Sequence, residues 1–300
     1  MPYATPPWYD SAAIGDTLTI LSWNVEHFVD TYDNPYINNR REDEVDSQLM
    51  QDRYLAFASV LEQVNADVVV LQEFESASFA KALAEEYFAE LGYQQFEGHE
   101  SVDWYMNVVV MSRVPLGTFY SYSPWYLPIE DQQEEDGSPS VQNLVNNRMW
   151  TVDVHAKKDY HFALTGLHLK AGRGTRNEAW RTGQINALRA QMHRFKAVNP
   201  DANLLVVGDL NCTPDSEEFK QLLGRSSDQV HFIDPLAGSG VFSHPADSVF
   251  WRIDHILADK AMLPELIEGS VGPFTPFQPD EMDAIADHLP MVAKFLLKDL

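Results

Sequence analysis

The 300-residue sequence predicts an α+β fold, a sandwich of mixed β-sheets with helices on the outside. Three observations point there. Short apolar runs of strand length recur from residue 18 to residue 297, each bounded by polar or Gly/Pro punctuation. Amphipathic helical stripes separate only some of them. Between residues 105 and 167 the strand-like runs follow one another directly, whereas a simple parallel, doubly wound sheet returns through a helix after every strand.

In order, the runs are Leu18 to Trp23, Asp67 to Leu71, Val108 to Met111, Met149 to Val154, His161 to Leu167, Leu204 to Val207, Arg252 to Leu257 and Met291 to Leu296. The clearest helix sets Met50, Tyr54, Phe57, Leu61 and Val64 on one stripe, the spacing of a helix with one buried face. A second stripe is Ile185, Leu188, Met192 and Phe195, and a third helix is expected within Phe79 to Leu91. Glu130 to Ser140 runs acidic and then Gly-Ser-Pro, and residues 121–147 around it are expected to form a long exposed loop. Residues 1–15 read as an N-terminal extension and 16–300 as a single domain, which a 45% hydrophobic composition suffices to fill with one core.

Net charge narrows the partners. At -24, from 45 acidic against 21 basic residues, the surface repels polyphosphates at long range unless a cation or a local basic patch intervenes. Nucleic acid is therefore a disfavoured partner without being excluded, and the acidity equally suits solubility in a salty or extracellular setting. Cys212 is the only cysteine, so no intrachain disulfide forms, and it reads as a packing residue rather than a nucleophile. The N-terminus has neither a basic nor an apolar leader region, and no stretch is apolar enough to span a bilayer. The expected compartment is cytoplasmic if Met1 is the native start, and periplasmic or secreted if a leader has been removed. A monomer is expected.

Polar residues stand repeatedly at the C-terminal ends of the apolar runs, where a sheet presents side chains to a cleft. Asn24 follows Thr19 to Trp23; asparagine is a poor strand residue, and its amide can orient a carboxylate or join a cation's oxygen shell. Glu73 ends Asp67-Val-Val-Val-Leu-Gln-Glu, which brings to the core's edge the kind of oxygen that Mg²⁺ takes. Each alone reads more readily as a turn or a solvated strand end. His168 closes its run just before Ala171 and Gly172, and imidazole near neutrality can donate to phosphate or shuttle a proton. Most specific is Leu204-Leu-Val-Val-Gly-Asp-Leu-Asn, where Asp209 and Asn211 stand two apart and share a face on an extended chain. The dipeptides Asp254-His255 and Asp287-His288 suggest that one aspartate orients the other's histidine; His255, opposite in direction to Asp254 along a strand, has no assigned role.

This ordered set resembles the endonuclease/exonuclease/phosphatase superfamily, which includes deoxyribonuclease I. The resemblance spans essentially the whole chain, through Trp23-Asn24, Leu71-Gln72-Glu73, Ser112-Arg113, Arg148, His168-Leu169, Gly208-Asp209-Leu210-Asn211, Arg252-Ile253-Asp254-His255 and Asp287-His288-Leu289-Pro290. The opening Trp-Asn-Val-Glu-His-Phe-Val-Asp looks most like bacterial members grouped with a mycoplasma membrane nuclease. The resemblance implies a four-layer α/β/β/α sandwich and a phosphoesterase using activated water. It also implies a divalent cation, Mg²⁺ or alternatively Mn²⁺ or Ca²⁺, on Asn24, Glu73 and Asp287. Carried over, the catalytic set is His168, Asp209, Asn211, Asp254 and His288, and Arg148, His168 and Asn211 bind the phosphate. Two departures stand out. Glu26 replaces the aspartate of many members, and the strand within Trp104 to Met111 offers only Asn107 where deoxyribonuclease I supplies a glutamate to pair with its equivalent of His168.

A small or lipid-like phosphodiester is the favoured substrate, on the overall acidity and on Trp104-Tyr105 and Tyr120 to Tyr126 as aromatic walls for a cleft. A nuclease is the alternative, supported by seven basic residues against one acid between Lys170 and Lys196. A third reading is a catalytically inactive binding module on the same fold.

Overall fold

In the computed structural model, residues 6–11, 14–101, 104–122, 126–143 and 148–298 are described. Among them the strands, numbered along the chain, form two six-stranded sheets and a small hairpin. The first sheet runs in the order β13 (Gly272–Pro273), β14 (Met291–Leu296), β1 (Thr17–Phe28), β2 (Val68–Phe74), β4 (Asn107–Ser112), β3 (Gln95–Gly98). The second runs β11 (Phe232–Ile233), β12 (Asp254–Asp259), β10 (Asn203–Asp209), β9 (Tyr160–His168), β8 (Met149–Lys157), β5 (Leu116–Ser121). Each sheet has a parallel pair at its centre, β1 with β2 and β9 with β10, flanked by antiparallel strands.

The central strands are apolar on both sides because both sides are covered. In β2, Val68 and Val70 face the other sheet, while Val69 and Leu71 face the helices. Between the sheets, Ile20, Val70, Val108 and Val110 meet Trp150, Leu164, Leu205 and Val207; burying one such side chain contributes about 1.5–3 kcal/mol. Trp150 crosses this interface, its Nε1 donating to the Val108 carbonyl at 2.7 Å. Its ring occupies the space left by Gly166, where a Cβ would lie 2.5 Å from Trp150 Cζ2.

Helices complete the outer layers, as a four-layer sandwich requires. A short α1 (Arg40–Asp43) leads into α2 (Ser47–Val64), and α3 (Ala77–Tyr87) follows β2. Asp46 caps α2 by accepting from the Gln48 and Leu49 N–H groups, and the stripe Met50, Tyr54, Phe57 and Leu61 packs on the first sheet. On the second sheet lie α4 (Thr175–Val198), with Ile185, Leu188 and Met192 inward, and α5 (Glu217–Leu223). A short α6 (Pro279–Asp283) precedes β14. Tyr9 and Ile14 pack against the inter-sheet core. Among the described residues no helix is long and apolar enough to cross a membrane.

The expected long loop at 121–147 is not one. It contains an antiparallel hairpin of β6 (Leu127–Gln133) and β7 (Pro139–Gln142), with Leu127 in the outer core beside Ile185 and Leu188. Alternation in Leu127-Pro-Ile129-Glu is a half-buried strand's signature, which the acidic run after it conceals. Residues 123–125 and 144–147 of that stretch lie outside the described residues.

Candidate active site

The central strands of both sheets deliver their last residues to one common edge. In the second sheet the register sets Asp209 between His168 and Asp254 on neighbouring strands. In the first, Asn24 is opposite Gln72, one residue before Glu73. Asp287 and His288 enter from the loop before β14, and Trp23 anchors that loop by donating from Nε1 to the His288 carbonyl at 2.8 Å.

At this edge the backbone leaves strand geometry. Glu26, His27, Glu73 and Asn211 adopt left-handed φ of 45°, 47°, 56° and 51°, which costs a non-glycine residue about 1–3 kcal/mol. Arg53 of α2 braces the turn after β1: its Nη2 donates to the Val25 and Glu26 carbonyls at 2.7 Å, and its Nε to that of Ile285 at 3.0 Å. The same guanidinium thereby ties the Asn24 segment to the Asp287 loop. Before Asp209, Gly208 has φ 137°, and a Cβ there would lie 1.9 Å from the Leu167 carbonyl oxygen, so only glycine fits.

Asp209 stands at the centre. Its Oδ2 accepts from Nδ2 of Asn24 at 3.1 Å and of Asn211 at 3.0 Å, and its Oδ1 from the Asn211 N–H at 2.7 Å. His168 Nε2 and His288 Nε2 lie 3.6 and 4.0 Å from Oδ2. Behind His288, Asp254 Oδ2 accepts from Nδ1 at 2.8 Å and from Ser243 Oγ at 2.6 Å. Glu73 Oε1 is 3.4 Å from Asn24 Nδ2 and 3.7 Å from His168 Nε2, while Oε2 accepts the His27 N–H at 3.2 Å. Arg148 precedes β8; its carbonyl accepts the His168 N–H at 2.7 Å, and its guanidinium is within electrostatic reach of Glu73 and Asp209. Asp287 faces His288 Nε2 through Oδ1 at 3.8 Å.

All nine expected residues thus gather at one edge. Others join them without having been anticipated. His27 sits 3.6 Å from Glu73, held by Tyr105 at 2.7 Å. Ser243 and His244 come from the loop before β12, with the His244 ring 4.5 Å from that of His288. His27 was visible as a polar residue directly after the Asn24 motif; His244 had no signal beyond being a histidine beside Pro245 near Asp254. Asn107 binds the Glu75 carbonyl at 2.6 Å, so what faces His168 is Glu73 and Asp209.

Burial and charge divide the site electrostatically. Burial works against the His288 cation, but Asp254 chiefly, with Asp209 and Asp287, raises it to about 10. Burial also opposes Asp254's ionisation, yet His288, Ser243 and His244 hold it below the ordinary carboxylate value. Burial pushes Asp209 up to about 7 against the pull of His288, and Asp287 up to about 6. It drives His168 down to about 4, opposed by Glu73. Glu73 is kept low despite its own burial by His168 and His27 and by hydrogen bonds from the His27 N–H and the Asn24 amide. Since His168 is neutral above about 4, the His27 N–H and the Asn24 amide carry that stabilisation near neutrality.

The basic run from Lys170 to Lys196 does not form one surface. Arg181 binds Glu218 and the carbonyls of Lys170 and Gly172, Arg189 the carbonyls of Leu222 and Val230, and Lys196 is buried against Asp259 at 2.6 Å. Lys170 and Arg173 lie in the segment between His168 and α4 and Arg176 in the first turn of that helix, with Arg173 stacked 4.2 Å over Trp251. Most of the expected aromatic walls are closed: Tyr120 packs on Phe195, Tyr122 is buried on Thr151 and Tyr105 is buried on His27, whereas Tyr126 is exposed and Trp125 lies outside the described residues. Instead Phe242, Phe250 and Trp251 line a cavity of about 320 Å³ with Thr213 and Asp215, beside His244.

Among the described residues, two clusters of His and Asp offer ligand atoms close enough to share a metal: Asp209, Asp254 and His288, and His244, Asp287 and His288. No curated protein matches the chain. Similar solved structures include the human Nocturnin catalytic domain, at 16% identity over 94% of this chain and 95% of that one, with a TM-score of 0.61. A humanized D. rerio TDP2 has 19% identity over 93% and 98%, with a TM-score of 0.60. A mannosyl-6-phosphatase of Bacteroides thetaiotaomicron has 15% over 92% and 98%, with a TM-score of 0.58. At these identities the likeness is one of fold. Residues 21–276 match the profile described as Endonuclease/Exonuclease/phosphatase family, and with the polar edge just described, the chain belongs to that family and is a phosphoric ester hydrolase.

Proposed function

We propose that the chain is a Mg²⁺-dependent phosphodiesterase acting on a small or lipid-like diester. The carrying observation is the convergence of Asp209 and the Asp254-held His288 beside the oxygen ligands Glu73 and Asn24.

The donor set fits a hard cation. Glu73 and Asp287 bring carboxylates, and Asn24 Oδ1 accepts one N–H, from Glu26 at 3.1 Å, leaving a second lone pair. Glu26, Glu73 and Asp254 all add to the strain on Asp287's ionisation, which a cation would relieve. A bound divalent ion supplies positive charge to the phosphoryl oxygens. Asp209, fixed by two amides and titrating near 7, takes the proton of the attacking water. His288, held as the cation, donates to the developing charge on phosphorus-bound oxygen, with Arg148 and neutral His168 alongside. This ranks Asp209 as base and His288 as donor.

Two features support the small or lipid-like diester: the aromatic cavity beside His244, and the internal pairing of Arg181, Arg189 and Lys196, which removes them from any backbone track. Lys170, Arg173 and Arg176 favour a second reading, a nuclease, as does the likeness of the Asn24 segment to bacterial members grouped with a mycoplasma membrane nuclease. Bis(p-nitrophenyl) phosphate and plasmid DNA, assayed with Mg²⁺ and with chelator across a salt series, decide between them. Salt-tolerant, chelator-sensitive turnover of the small diester is expected. Plasmid nicking that falls steeply with salt would move the assignment to the nuclease, and full activity of Glu73→Gln would sink the mechanism.

A further inference from the structure

We propose that His244, Asp287 and His288 form a second cation position, suited to Mn²⁺, Co²⁺ or Zn²⁺ rather than Mg²⁺ or Ca²⁺. It deepens the metal-dependent reading above, but two of its three ligands, His244 and His288, lie outside the set Asn24, Glu73 and Asp287.

His244 Nε2 lies 3.9 Å from Asp287 Oδ2, and His288 Nε2 lies 3.8 Å from Asp287 Oδ1. Neither gap is a hydrogen bond. One ligand atom from each of the three residues lies within 4.8 Å of the others. Two ligands on a tetrahedral ion with bonds of about 2.1 Å stand roughly 3.4 Å apart, so from the 4.8 Å bound on these ligand atoms inward movements of at most about 1.4 Å along an edge bring the three to one ion.

Both rings are already aimed. His288 gives Nδ1 to Asp254 at 2.8 Å, and Asp254 is itself held by Ser243. A carboxylate behind an imidazole is how proteins orient a metal-binding histidine, and it leaves Nε2 for the site once the proton there is released to solvent, so the ion and the phosphate-donor role given to His288 above are alternatives at this atom. His244 is fixed through its backbone, its N–H donating to the Trp251 carbonyl at 3.0 Å and its carbonyl accepting from the Trp251 N–H at 2.9 Å. Its ring also packs on Trp251. Its Nδ1 is buried with no hydrogen-bond partner among the described residues, so the ring's polar contact is through Nε2, toward Asp287.

Two imidazole nitrogens and one carboxylate oxygen suit later first-row ions, whereas Mg²⁺ and Ca²⁺ take oxygen shells. Asp287 presents one oxygen to each histidine, and its carboxylate is shared with the Glu73 and Asn24 position. The ion therefore sits beside the aromatic cavity, where the non-reacting part of a diester would pass.

The test is metal stoichiometry by equilibrium dialysis of the chelator-stripped full chain against Mn²⁺, Co²⁺ and Mg²⁺ in turn. Two equivalents of Mn²⁺ or Co²⁺ and one of Mg²⁺ are expected. His244→Phe and His244→Gln should each lose one Mn²⁺ equivalent, its affinity falling by more than about 10-fold, with thermal melts in chelator showing that both fold. Nitrogen hyperfine coupling in the electron paramagnetic resonance of Mn²⁺-loaded wild type is expected and needs no variant. A single Mn²⁺ equivalent, two equivalents retained by both His244 variants, or no nitrogen coupling would each overturn the proposal. Glu73→Gln should lose the other equivalent and keep the His244-dependent one. Full activity of that variant defeats the catalytic reading alone, so the two failures are distinct.

Discussion

The chain carries the same dipeptide twice near its C-terminal end, and the two copies behave oppositely. Asp254-His255 lies at the start of β12, where successive side chains point to opposite faces. Asp254 therefore reaches the site while His255 turns away, onto Phe219 at 4.6 Å and the Cys212 carbonyl at 3.3 Å. Asp287-His288 lies in the loop before β14, and there both side chains face the site. Burial is similar for the two histidines, but their surroundings are not. Three carboxylates raise His288 to about 10, whereas burial beside Arg252 drops His255 to about 4. What an Asp-His pair does is set by the backbone that carries it and by the charges that face it.

The sharpest way to break this comparison is to remove the site member. His288→Ala is expected to lower kcat by about 10²–10⁴-fold, measured on a small diester at a temperature where the variant is folded; an unchanged kcat would put both histidines in the same structural class. Asp254→Asn should cost roughly 10²-fold, because the carboxylate that orients Nδ1 and holds the cation is gone. An NMR titration of that variant should find His288 well below about 10, and an unmoved titration would show that Asp254 is not what raises it.

The structural member should answer in stability instead. His255→Leu leaves the Cys212 carbonyl without its partner, a loss of about 1–3 kcal/mol in urea unfolding, with kcat/KM close to wild type. A variant of full stability but low kcat/KM would give His255 a functional part.

The smallest effect is on the pH dependence of stability, with opposite signs for the two rings. His288 titrates near 10 when folded against an ordinary 6.5, so its contribution is full below pH 6.5 and is lost as pH rises toward 10. His255 titrates near 4 when folded, so its contribution is full above pH 6.5 and is lost as pH falls toward 4. Urea midpoints in chelator should fall at both ends in wild type. His288→Ala should flatten only the alkaline fall and His255→Leu only the acid fall; a flattened acid limb in His288→Ala would contradict the assignment.

Much of this was legible in order along the chain. Doubly apolar runs such as Val68 to Leu71 announced strands covered on both sides, and the Met50 to Leu61 stripe announced the helix that covers them. Gly208 before Asp209, and the two-residue step to Asn211, marked the strand end from which the site is built. These are local matters, decided by side-chain periodicity and by one backbone position without room for a Cβ. The hairpin within 121–147 was less legible, because its inward positions Leu127 and Ile129 make only two apolar beats before the acids begin.

What only the tertiary structure decided is which distant residues meet. Asn24 touches Asp209 across 185 residues, and Arg53 closes on Ile285 across 232. His27 and His244 enter the site by backbone turns that carry no sequence period of their own. The basic run after His168 shows the same dependence: as sequence it is uniform, yet Arg181, Arg189 and Lys196 are held inside by Glu218, Leu222 and Asp259, which lie on other elements. Periodicity records which face of an element is buried; it carries no record of what that face, or the strand end beyond it, is brought against.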